Sequence, residues 1–105
     1  MTIHDDARAM NDDLVRMRHD LHRRPEIGLQ LPRTQDRVLA ELDGLPLEIS
    51  LGRALSSVTA VLRGGQPGPT VLLRGDMDAL PVSERSGVSY TSIEPGRMHA
   101  CGHDL

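Results

Sequence analysis

Tyr90 is the only aromatic residue in this 105-residue chain; Phe and Trp are absent. Aromatic side chains normally bring the largest buried areas to a core. Any core here must therefore be assembled from Leu, Val, Ile, Met and Ala. Hydrophobic residues make up 38% of the sequence, against an average of about 45–50% on a similar residue set. The length suits one domain, which would bury roughly two-thirds of its unfolded surface. So poor a supply of apolar area makes a piece of a larger domain at least as good a reading as a self-sufficient one.

The charge balance narrows the partners. A formal net charge of −3 and a pI near 5.9 give no footing for nucleic acid or a membrane surface. Every one of the 12 basic residues is Arg, which reflects the coding bias of the source rather than chemistry. A single cysteine, Cys101, excludes an intrachain disulfide framework. Met1–Asn11 contains no apolar run of the kind a secretory leader needs. No segment approaches the roughly twenty apolar residues that span a bilayer. The expectation is a soluble, cytoplasmic protein.

Periodicity predicts one N-terminal helix capped by Thr2, with Asp5 and Asp6 at its positive end and Met10, Leu14, Met17 and Leu21 along one face. Arg23 and Arg24 suit its C-terminus and Pro25 stops it. After a connector over Glu26–Pro32, a second helix is expected from Arg33 to Asp43, with Val38, Leu39 and Leu42 inward and Gly44 as terminator. Leu47–Leu51 and Val58–Leu62 read as strands. The Gly/Pro-rich stretch Gly64–Pro69 reads as a turn that pairs Val58–Leu62 with a further strand, Thr70–Leu73. Beyond Gly75 the periodicity fails, as it often does in functional loops. Helices followed by strands imply an α/β domain whose mixed sheet gains partners downstream. The chain ends at Leu105 without a closing element, so the domain is expected to be incomplete.

Two clusters carry chemistry. Asp76 and Asp78 follow an apolar strand at i, i+2, which in extended backbone points both carboxylates to one side. Such a pair at a strand end can bind a hard cation, or one member can orient a ligand; the alternative is a solvated acidic turn closed by Pro81. Cys101 and His103 are spaced likewise around Gly102, and thiolate and imidazole are ligands for zinc and similar ions. They fall short of the roughly three or four protein ligands such a site needs, and a buried free Cys beside a surface His is the alternative. His19 and His22 lie three apart on the first helix without a carboxylate placed as in H-E-x-x-H, so they read as a solvated helix face.

Four stretches together resemble a known family. Arg18–Gly28 is similar to its opening R-x-x-L-H-x-x-P-E-L-G, Gly64–Thr70 to its G-G-x-P-G-P-T turn, Arg74–Pro81 to R-A-D-M-D-A-L-P, and Met98–Asp104 to M-H-A-C-G-H-D. The family is that of the dinuclear-metal amidohydrolases that include hippurate hydrolase, N-acyl-amino-acid and auxin-conjugate amidohydrolases and N-acetyldiaminopimelate deacetylase. The resemblance implies that residues 1–105 are the N-terminal portion of a dinuclear-metal peptidase-type catalytic domain, with the lid or dimerisation domain absent. It implies Cys101 and His103 as metal ligands, Asp76 and Asp78 as the catalytic carboxylates, and site-shaping roles for His99 and Asp104. Divalent cofactors follow, two ions of Zn, Mn, Co or Ni per complete site. The activity implied is hydrolysis of the amide bond of N-acyl amino acids, in a homo-oligomeric full-length protein. The general base and remaining ligands belong downstream in the family, so the chain alone is expected to be an inactive fragment; a non-catalytic metal-binding remnant or structural module is the alternative. Gly75 replaces the family's usual Ala, and Leu31-Pro32 stands where acidic residues are common.

Overall fold

A computed structural model describes residues 1–104. Three helices come first, α1 (Ile3–Ala9), α2 (Asn11–Arg23) and α3 (Pro32–Leu42), then strands β1 (Glu48–Leu51) and β2 (Val58–Val61). A 3-10 turn over Gly102–Asp104 follows a long stretch without regular structure.

Thr2 caps α1 in a reciprocal box. Its Oγ1 accepts the Asp5 N–H at 3.2 Å, and its own N–H reaches Asp5 Oδ2 at 3.0 Å. The expected single helix is broken at Met10, whose ψ of −5° departs from the helical value. Asn11, Asp12 and Asp13 follow the break; short polar side chains compete for the backbone and favour helix starts over helix interiors. Pro25 then bars further helix, as expected, and Arg24 is the closing residue of α2.

The start of α3 is built from a distance. Its cap position is Leu31, which has no side chain able to accept, and Pro32 follows at the first helical position. Glu26 supplies what Leu31 lacks. Its carboxylate accepts the Thr34 N–H at 2.6 Å, the Thr34 hydroxyl at 2.7 Å and the Arg33 N–H at 3.3 Å. A negative charge at the positive end of a helix is favoured twice over, by hydrogen bonds and by the dipole. Burial is the largest single influence and pushes the Glu26 pKa up, but those bonds and the charge of Arg33 together outweigh it and hold the carboxyl below its ordinary value.

The sheet is an antiparallel pair in which Glu48 faces Val61 and Leu51 faces Val58. Here the structure corrects an expectation: Val58–Val61 pairs back with β1, and Thr70–Leu73 forms no strand. Pro67 and Pro69 lack the N–H groups a returning ladder would use, so Gly64–Pro69 runs on as open chain. The mixed sheet expected from the sequence is thus a two-stranded antiparallel one among the described residues, accompanied by two isolated bridges, Ile27 parallel to Ala79 and Leu80 antiparallel to Met98.

Close packing is confined to one knot. Pro25, Leu31 and Ala79 are buried beside the polar His22, Glu26, Thr34 and Ser56. Ala79 N–H donates to Glu26 O at 2.8 Å, and Leu31 N–H to Ser56 Oγ at 2.8 Å. The connector between α2 and α3 is thus stitched to the start of the 79–104 tail.

Candidate metal centre

The Leu80–Met98 bridge does most to assemble the site. Leu80 N–H donates to Met98 O at 2.9 Å and Met98 N–H to Leu80 O at 3.0 Å. Two stretches that sequence leaves far apart, Arg74–Leu80 and Met98–His103, are thereby set side by side. Across the join, His103 Nδ1 lies 2.6 Å from Asp76 Oδ2. Arg74 Nη2 approaches the other oxygen of Asp76, Oδ1, at 2.5 Å. The bond to His103, ahead of the guanidinium of Arg74, holds the Asp76 carboxyl below its usual value.

The remaining expected site residues are placed less fully. Asp78 is exposed and forms no hydrogen bond or ion pair among the described residues. Cys101 is an exposed free thiol two positions from His103. The Asp104 side chain, to which a site-shaping role was assigned by resemblance, lies outside the described residues. Among the described residues, no three His, Cys, Asp or Glu side chains converge closely enough to hold an ion.

What is present fits a metal in kind. A ligating imidazole usually gives its other ring N–H to a carboxylate, which fixes the tautomer and raises basicity. With Nδ1 of His103 on Asp76, Nε2 is the nitrogen left to coordinate. A nearby thiol adds a soft donor.

Next to this site the structure corrects another expectation. His22 does not belong to a solvated face. It is 6% exposed, and its Nε2 sits 3.0 Å from both carboxylate oxygens of Glu84. Tyr90 stacks on His19 with ring centroids 3.6 Å apart and meets His22 edge-on at 5.5 Å. Arg18, His22, Glu84, Tyr90, His99 and Cys101 share the wall of a cleft of about 280 Å³. Sequence reasoning missed Glu84 altogether, since nothing local ties it to a histidine 62 positions earlier. The one available signal was His22 itself, which stands inside the family-like run Arg18–Gly28.

Comparison with known proteins addresses the family directly. Residues 72–105 match the model of Peptidase family M20/M25/M40. In fold, the chain superposes with a TM-score of 0.83 and 37% identity on the YXEP protein of Bacillus subtilis, described as a dinuclear metal binding peptidase from the M20 family. That likeness covers 92% of this chain and 27% of the other. The chain is similar in sequence and fold to part of an M20-family protein. Similar proteins include an N-acetyldiaminopimelate deacetylase of Ligilactobacillus salivarius, 41% identical over 90% of this chain and 25% of that protein. An N-acetylcysteine deacetylase of Bacillus subtilis is 36% identical over 93% of this chain and 26% of its own length. This chain thus spans about a quarter of the curated relatives it matches.

Proposed function

We propose that this chain contributes one wall of a dinuclear-metal site that hydrolyses the amide bond of N-acylated amino acids. The observation that carries the reading is the join at Leu80 and Met98, which puts the Asp76 carboxylate on the His103 imidazole. Two deacetylases of N-acylated amino acids among the relatives support the substrate class.

In this reading Cys101 and His103 hold the ion. Asp76 keeps His103 in the Nδ1–H form and so presents Nε2 outward. Arg74 neutralises the second oxygen of Asp76, which keeps that carboxylate from competing as a ligand on its own. Asp78, two residues on and exposed, is left free to accept a proton or a hydrogen bond from whatever enters the site. A bound divalent ion supplies Lewis acidity toward the amide carbonyl and the attacking water.

Asp76, Asp78, Cys101 and His103 supply too few donors for a closed site, and among the described residues no third ligand converges on them. The chain of 105 residues on its own is therefore expected to release no free amino acid from hippurate or N-acetyl amino acids. In the full-length gene product carrying this sequence, a chelator should abolish release and Mn, Zn, Co or Ni should restore it. Cys101→Ala and His103→Ala should each defeat that restoration. Full turnover by His103→Ala would sink the assignment. The second reading, a binding module without chemistry, is favoured by the incomplete ligand set. It requires stoichiometric metal uptake with no release of amino acid by the full-length product. A cytoplasmic setting suits the exposed free thiol, and a homo-oligomeric full-length protein remains part of the proposal.

A further inference from the structure

A carboxylate removed from water on the far side of the cleft has no role in the chemistry above. The Glu84 side chain is only 4% exposed, and its partner His22 is 7% exposed. Besides His22, Glu84 accepts the Ser92 N–H at 2.8 Å and the Ser86 hydroxyl. All of its capacity is spent within one loop and on one helix.

That loop is the segment from 81 to 97, whose ends are pinned together by the Leu80–Met98 bridge. It has no ladder of its own. It is held to α2 at three places: Glu84 on His22, Tyr90 stacked on His19, and Ile93 N–H donated to Arg23 O at 2.9 Å. Immediately past it come His99, whose ring centroid is 6.5 Å from that of His22, and then Cys101. The loop that rests on α2 thus runs directly into the stretch that carries the candidate ligands.

Stability alone does not call for a buried carboxylate at this place. Replacing a buried ion pair with apolar side chains of like volume is often neutral or better. What a carboxylate adds is orientation. Accepting from Ser92 and Ser86, it leaves Nε2 of His22 as the nitrogen that must donate, so the ring is fixed in rotation and tautomer.

We propose that Glu84 is a positioning residue for the metal-binding stretch: by gripping His22 it seats the 81–97 loop on α2, and with it places Cys101 and His103 beside Asp76. This rests on the metal-site reading above.

The test uses the full-length gene product loaded with Co²⁺, whose thiolate charge-transfer absorption reports the bond to Cys101. Glu84→Gln keeps the size and most hydrogen bonds of the side chain but no longer dictates the His22 tautomer. It should weaken Co²⁺ binding about tenfold, the scale seen when groups that orient ligands are removed. It should also change the charge-transfer band and mix the His22 tautomers in ¹⁵N spectra. Glu84→Asp should recover less affinity than wild type but more than Glu84→Ala. If Co²⁺ affinity and the band are unchanged in Glu84→Gln, the inference is wrong, whatever happens to stability; should Glu84→Ala fail to fold, Glu84→Gln alone decides. A wild-type protein with no band that Cys101→Ser removes would overturn the metal site itself, and this inference with it.

Discussion

Glu26 and Glu84 are two carboxylates withdrawn from water for different ends, one to start a helix and one to seat a loop. Both are held ionised by the groups they accept from, against burial that pushes the other way. For Glu84 the net result of burial opposed by Ser86, Ser92 and His22 is a pKa lowered from 4.5 to about 2. A depressed carboxylate adds stability above its unfolded pKa and loses it as pH falls through the folded one. The folded protein is therefore expected to lose stability progressively between pH 4.5 and about 2, and Glu84→Gln should flatten that slope in acid unfolding followed by circular dichroism. Glu26→Ala strands the N–H groups of Arg33 and Thr34 and the Thr34 hydroxyl. A loss of about 1–3 kcal/mol is expected in denaturant unfolding of the full-length protein. Neither role was legible beforehand. Glu26 stands in the family-like Pro25-Glu26-Ile27-Gly28 run, but a cap contributed from seven or eight residues before the groups it accepts from leaves no mark in local pattern.

At the scale of elements, what could be read followed from local rules. The Thr2 cap, the stop at Pro25, the end of α3 just before Gly44 and the two strands near 48 and 58 all depend on residues close by in sequence. The missed features share a cause: pairing across distance. Gly64–Pro69 looks like a hairpin turn by composition, yet the turn that closes the ladder is 52–57, where Gly52 N–H donates to Ser57 O at 3.0 Å. There glycine is required by space. A Cβ on Gly52 would lie 2.4 Å from both Leu55 O and Ser57 Oγ. Gly52→Ala is expected to destabilise the β1–β2 pair by about 1–3 kcal/mol, the usual range for overpacking. Faster amide exchange at β1 and β2, with α3 unchanged, is the measurement; equal exchange in both proteins contradicts it. The candidate cluster was legible as donor types and spacing, while the Asp76–His103 bond needed the Leu80–Met98 join that no local rule foretells.

For the whole molecule, the shortage of aromatic residues becomes a shortage of interior. Leu31 and Ala79 are the buried hydrophobic residues beside Pro25, whereas Val71, Leu72 and Leu73 are 81%, 87% and 90% exposed. Burial stabilises by about 25 cal/mol per Å² of apolar surface, and ordering each residue costs roughly 1–2 kcal/mol. With so few side chains withdrawn from water, the 105-residue chain alone is expected to unfold without a cooperative transition and to bind a hydrophobic dye. A sharp calorimetric peak for the isolated chain would contradict this. Among the described residues no helix is long and apolar enough to cross a membrane.

The stack of Tyr90 on His19 also has an optical side. Because the sequence holds no tryptophan and no second tyrosine, every photon of intrinsic emission from these residues originates at one ring. That ring sits on the very loop that rests on α2 and leads into the candidate metal-binding stretch. The chain thus carries its own single-site fluorescent gauge, and lifting the loop off the helix can be timed in a stopped-flow cell without attaching a label.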